Sequence, residues 1–190
     1  MAFTQILLIT SLLGIQLQEI YGHGMMMDPV QRSSAWRKGF PVEPNYDDMG
    51  LYCGGYNVQW EQNGGRCGIL RIPYKRGETI NINVKLTANH KGSFTFHLCP
   101  LHSSNELETE DCFNRYPLQL SDGSYSLSVP SSQYEFNVGV RLPGGVTCNQ
   151  CVVRWNYRSG NNWGDCGDGH SALGCGPQET FRNCADVAIS

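Results

Sequence analysis

Between residues 79 and 90 the chain reads TININVKLTANH, in which Ile80, Ile82, Val84, Leu86 and Ala88 alternate with Asn81, Asn83, Lys85, Thr87 and Asn89. Successive side chains of a strand point to opposite faces, so this segment predicts a strand with one buried and one wet face. His90 shares the parity of the apolar set and closes the segment before Lys91-Gly92, which places it at the rim of a buried face rather than inside the core. Similar short stretches follow: SFTFHL at 93–98, SYSLSV at 124–129, YEFNVGVRL at 134–142, CVVRWNYR at 151–158 and CADVAI at 184–189. Turn-forming runs such as Ser121-Asp122-Gly123 and Pro143-Gly144-Gly145 separate them. Short strands at this spacing predict a mainly β chain folded as an antiparallel, immunoglobulin/fibronectin III-like β-sandwich.

Three stretches do not follow that rhythm. Residues 23–68 are rich in Gly, Pro, Asn, Asp and aromatics without a period, and read as ordered loop with short helical turns. Residues 159–184, SGNNWGDCGDGHSALGCGPQETFRNC, are dense in Gly, Asn and Cys and predict a long loop held by disulfides, a setting that often carries function. Residues 1–22 hold an apolar run from Ile6 to Ile15 and end in small Gly22. That run is too short to span a bilayer as a helix and has the layout of a secretory signal, although no Lys or Arg precedes it. The expected organisation is a signal peptide over 1–22 and one domain over 23–190.

Composition changes the picture in one respect. The nine cysteines all lie after Gly22, and that density implies disulfides made in an oxidising, extracellular compartment. Cys148-Asn-Gln-Cys151 has the spacing of a zinc half-site or a redox pair, but no second CxxC accompanies it. Nine is odd, so one thiol is left over. Charge adds little: once Glu19 leaves with the signal, 17 acidic residues become 16 against 14 basic ones. With no basic run interleaved with aromatics and no second long apolar segment, neither nucleic acid nor membrane is an expected partner. No internal repeat divides the chain, and a monomer is expected.

Cleavage after Gly22 would leave His23 as residue one. Its free α-amino group and imidazole can then close a chelate ring on one metal ion, and the amine, with a pKa near ~7.7 to 8, loses its proton to a metal at little cost near neutrality. A further imidazole would complete a T-shaped set of three nitrogens, a geometry suited to Cu(II) rather than to tetrahedral zinc. His90 is the best candidate; His97 falls on the polar face of its strand, His102 in a Ser- and Asn-rich loop, and His170 in the Gly-rich segment. Glu106, Glu108, Glu110 and Asp111 form the one dense acidic cluster, which could suggest paired-carboxylate hydrolysis but reads more simply as a solvated face.

The His-Gly pair after the signal, with DPVQRSSAWR, PNYDDMGLYCGG, QWEQNGGRCG, LTANHKGSFTFHLCP and GCGPQETFRNCADVAI, resembles the lytic polysaccharide monooxygenases of auxiliary activity family fifteen. It is also similar to the wider chitin-binding type-4 superfamily, and the likeness runs over nearly all of residues 23–190. The resemblance implies a secreted enzyme with one copper ion, cycled between Cu(II) and Cu(I) by an external electron donor, that uses hydrogen peroxide or dioxygen to cleave an insoluble polysaccharide. His23 and His90 would hold the copper. Phe181, in the F-x-x-x-x-D-V pattern completed by Asp186 and Val187, would lie on its axial side and leave that side without an oxygen ligand. Ala88 matches the small residue crowding the opposite axial face. Arthropod-like resemblance favours chitin over cellulose as substrate and oxidation at C1. Met25, Met26 and Met27 read as packing beneath the metal rather than as ligands.

The chain departs from the family after Gly68. There the family continues into a second cysteine and a further acidic, glycine-rich stretch, whereas here Cys67-Gly68 runs directly into ILRIPYKRG, with Leu70 in the cysteine's place. This reads as an internal deletion and accounts for the odd cysteine, with Cys53 or Cys67 as the expected unpaired thiol. Two non-enzymatic readings stay open from the residues alone. A chitin-binding module would use exposed aromatics, with Tyr52, Tyr56 and Trp60 as weak candidates; a copper-binding protein would keep His23 and His90 without acting on polysaccharide.

Overall fold

The alternation that begins at Thr79 is realised as a strand over Thr79–Leu86, with Ile80, Ile82, Val84 and Leu86 all buried. The computed structural model describes residues 24–42, 44–46, 48, 72–103 and 106–190. Numbered in chain order, its strands are β1 (Gly24–Asp28), β2 (Ile72–Tyr74), β3 (Thr79–Leu86), β4 (Ser93–Leu101), β5 (Gln119–Leu120), β6 (Leu127–Ser128), β7 (Glu135–Arg141), β8 (Cys148–Arg158), β9 (Trp163–Asp165), β10 (Ser171–Leu173) and β11 (Thr180–Ile189). A 3-10 turn occupies Arg32–Lys38 and an α-helix, α1, Glu110–Arg115.

Two sheets face each other. One has the order β1-β3-β7-β5 and is antiparallel throughout; the other has the order β2-β11-β8-β4-β6, antiparallel except where β2 runs parallel to β11. The expected antiparallel sandwich is therefore present. Ile82, Val84 and Leu86 of β3 and Phe136, Val138 and Val140 of β7 meet Phe94, Phe96, Leu98, Val153, Trp155, Tyr157, Phe181 and Val187 across a single core. Phe94 sits at its centre, with edge-on rings of Phe136, Trp155 and Tyr157 at 4.9, 5.1 and 5.0 Å.

The β8 strand carries buried residues on both faces because its outer face is covered too. There α1 and its neighbours lay Cys112 and Phe113 over Cys99, Leu101 and Val152. Thr109 caps α1, its hydroxyl accepting from the Cys112 amide, and the Cys99–Cys112 disulfide ties the helix to β4.

Several sequence expectations shift. The strand at 79–90 stops at Leu86, whose amide makes a last bond to the carbonyl of Tyr134 beside β7, and Ala88 to His90 lie in the bend that turns the chain into β4. The stretch at 124–129 yields only the two-residue β6. Residues 24–28, expected as loop, form edge strand β1 on β3; the consecutive burial of Met25 and Met26 hides any alternation. The Gly-rich segment at 159–184 is not structureless either: β9 and β10 form a hairpin closed by the Cys166–Cys175 disulfide. Cys148 and Cys151 are joined to each other, so that CxxC is no zinc half-site. Among the described residues the unpaired cysteine is Cys184; Cys53 and Cys67, and the junction after Gly68, lie outside them.

Candidate functional site

The ends of both sheets converge where β3 turns into β4. Gly24 pairs with Leu86, and on the other sheet Ser93, Arg158 and Thr180 lie side by side. Gly24 has to be glycine, since a Cβ there would come within 2.8 Å of both Leu86 and Trp155 side chains. The turn itself needs left-handed backbone at Lys91 and Gly92, with φ of 57° and 88°. A Cβ on Gly92 would lie 2.0 Å from the Arg158 carbonyl oxygen, so this glycine lets the turn lie flat on the end of β8.

That close approach holds His90. Its amide donates to the Tyr157 hydroxyl at 2.8 Å, and its carbonyl accepts from the Gly160 amide at 2.8 Å. The residue is only 7% exposed. Its ring lies against Phe181, with centroids 6.4 Å apart and planes 23° from parallel; Phe181 in turn packs on Tyr157 at 5.5 Å. Burial pushes the Tyr157 hydroxyl above the ordinary tyrosine range, and the bond from His90 offsets this only in part. The Nδ1 atom of His90 faces the Asn161 side-chain amide at 3.1 Å. Nε2 is buried and has no hydrogen-bond partner among the described residues. A buried imidazole nitrogen without a partner is uncommon, and it is the atom a metal ion would take once its proton has moved to Nδ1.

The other expected site residues are distributed unevenly. Phe181 is buried on the inner face of β11 beside His90, and Ala88 lies partly buried two residues before it. His23, Tyr52, Tyr56 and Trp60 lie outside the described residues. Exposed apolar side chains do flank the His90 turn, at positions the sequence reading passed over. Trp163, 70% exposed, sits opposite Leu173 on the β9–β10 hairpin, two residues beyond Asn161. Tyr134, also exposed, follows the 130–133 turn, to whose Pro130 and Gln133 carbonyls Asn89 donates. A tryptophan stranded among glycines and asparagines was the available signal, because such a segment has no core for it to enter.

His102 and His170 are exposed, and His170 pairs with Asp168. Cys166, Asp168 and His170 bring three potential ligand atoms within 4.8 Å, but the Cys166 sulfur is committed to its disulfide. His97 lies on the outer face of β4 beside Arg154, and burial followed by the Arg154 charge lowers its pKa. The acidic cluster is more than a solvated face. Glu108 pairs with Arg32, and Glu110 bridges Arg154 and Arg182 at 2.8 Å each, because α1 folds it back over the sheet's basic outer rows. Asp186, five residues after Phe181, points outward and binds Arg32.

Comparison with known proteins agrees with this geometry. The family described as lytic polysaccharide mono-oxygenase, cellulose-degrading, matches residues 68–187. Among solved structures, a lytic polysaccharide monooxygenase AA15 from Thermobia domestica in the Cu(I) state is 44% identical, covers 88% of this chain and 98% of its own, and superposes with a TM-score of 0.76. LPMO10B from Micromonospora aurantiaca, at 15% identity over 87% of this chain and 99% of its own, gives 0.51. The cellulose-active CelS2 in complex with copper, at 16% identity over 87% and 98%, gives 0.52. These two share the fold. No curated protein matches the chain.

Proposed function

The chain belongs to the lytic polysaccharide monooxygenases and is of the AA15 type, and from that premise we propose that it is exported, begins in its mature form at His23 as one domain to Ser190, and holds copper between His23 and His90. It is a copper-dependent enzyme acting on polysaccharide. The observation carrying the assignment of His90 is its buried Nε2, which has no partner among the described residues and lies at the same end of the sandwich as Gly24, the residue one peptide bond after His23. In the proposed site His23 contributes its α-amino and imidazole nitrogens and His90 its Nε2, a three-nitrogen set that fits copper. When bound there and reduced by an external donor, copper would supply the chemistry that oxidises a polysaccharide C–H bond with hydrogen peroxide or dioxygen. Phe181 presents only carbon beside His90 and would offer a metal held there no oxygen donor.

The chain's own residues do the remaining work by holding position. The Tyr157 hydroxyl and the Gly160 amide clamp the backbone of His90 from two sides. Trp163, Leu173 and Tyr134 offer apolar surface around the turn, suited to the flat faces of sugar rings in an insoluble chain. Chitin is the proposed substrate and C1 the proposed carbon, both resting on the likeness to arthropod enzymes; cellulose is the comparison arm. The test is secreted protein starting at His23, loaded with copper and incubated with ascorbate on chitin and on cellulose. C1-oxidised chitin oligosaccharides are expected by mass spectrometry, and none from His90→Ala. Only unoxidised ends would overturn the oxidative reading, and oxidised products from cellulose alone would overturn the choice of chitin.

A further inference from the structure

We propose that Asn161 is a positioning residue that selects the tautomer of His90, donating to Nδ1 in one orientation of its side-chain amide and accepting from Nδ1–H in the other, the one that frees Nε2 for a metal. The inference rests on the assignment of His90 as a ligand. An imidazole binds a metal through a bare nitrogen, so ligation at Nε2 requires the ring proton on Nδ1, and the partner of Nδ1 decides how readily it moves there. In this chain that partner is the Asn161 side chain, with Nδ2 3.1 Å from Nδ1. In this arrangement the amide donates, the ring proton sits on Nε2, and that buried N–H has no acceptor among the described residues. Turning the amide by half a rotation presents Oδ1 to Nδ1, moves the proton there and frees the Nε2 lone pair.

Asparagine suits this exchange because its two ends are nearly the same size and opposite in role. The backbone on either side of it is fixed, so only the amide has to turn. Gly160 is bonded to the His90 carbonyl and packed so close to Gly92 that a Cβ would lie 2.9 Å from its nitrogen. Asn162 is held through both its amide and its carbonyl by the Gln178 side chain. Exposure of Asn161 leaves the amide room to rotate.

The discriminating variants are Asn161→Asp, which can only accept, and Asn161→Leu, which can do neither. Long-range proton–nitrogen correlation spectra of the copper-free protein, with His90 assigned by its loss in His90→Ala, read the tautomer directly. Wild type is expected to carry the proton on Nε2 and Asn161→Asp on Nδ1. Calorimetric Cu(II) affinity is expected to fall about tenfold in Asn161→Leu and to be kept or raised in Asn161→Asp. Identical ring-nitrogen shifts and unchanged affinity in both folded variants, alongside loss of tight binding in His90→Ala, overturn the role of Asn161 alone. Wild-type affinity in His90→Ala instead overturns the ligand assignment beneath it.

Discussion

Replacing Asp186 by asparagine separates what holds the fold from what serves the metal. Its carboxylate takes the Arg32 Nε at 2.7 Å and a second bond from Nη2, while Glu108 takes Nη1 at 2.6 Å. The Arg32 and Asp186 side chains are 7% and 2% exposed. Burial alone would lower the Arg32 pKa, yet the hydrogen bond and charge of Asp186 more than reverse it, so the arginine stays charged. Asp186→Asn keeps the shape and removes one charge of this pair. Breaking a buried pair from one side costs about 3–5 kcal/mol; Glu108 remains on the arginine, so the lower end, ~3 kcal/mol, is expected. At roughly 2–4 °C per kcal/mol for a domain of this size, the melting temperature should fall by about 6–12 °C. Urea unfolding followed by tryptophan fluorescence and calorimetry measures this. Copper affinity should be unchanged, because Asp186 faces outward on β11 while Phe181 of the same motif faces His90. A loss under about 1 kcal/mol would refute the buried-pair argument, and a folded variant with weakened copper binding would refute the separation of the two faces. The double variant Arg32→Met/Asp186→Leu should recover most of the loss.

Two further outcomes follow from the outer face of the second sheet. Burial, then the Arg154 charge, holds the His97 pKa below its ordinary value and Glu110 only partly offsets them, so the unfolded chain binds more protons just below about pH 6.5 and stability falls as the pH drops through that window. His97→Gln should flatten the loss of melting temperature between about pH 7 and pH 5; equal slopes in both proteins would remove His97 from the account. Burial pushes the Cys184 thiol up to about 12 despite the pull of Arg32 and Arg154, so it should be inert to a disulfide reagent at about pH 8. Cys184→Ser should then leave the native thiol count unchanged and lower the count after denaturation by one; a lower native count would show a reactive thiol.

Local periodicity determined the members of the core. Strands β3, β4, β7, β8 and β11 follow from alternating residues, because a side chain facing a sandwich interior must be apolar whatever its neighbours are. The same reading picked out His90, and the family resemblance picked out Phe181; the two meet, although the register carrying the histidine ends four residues earlier than its pattern. It missed β1, whose neighbouring methionines are both buried, and the β9–β10 hairpin, whose exposed residues have no buried face to alternate with. Those elements depend on other parts of the chain: β1 on the edge of β3, and β9–β10 on a disulfide and on the Gly160 amide just before it, which bonds the His90 carbonyl. The acidic residues at 106–111 looked solvated for the same reason, since the arginines that claim Glu108 and Glu110 come from the 3-10 turn, β8 and β11. Asn161 lies 71 residues from His90, and nothing in its own segment announces the contact. Burial preference is a property of each residue and can be read along the chain; which polar groups meet is decided by close approach, here by Gly92 lying against the end of β8.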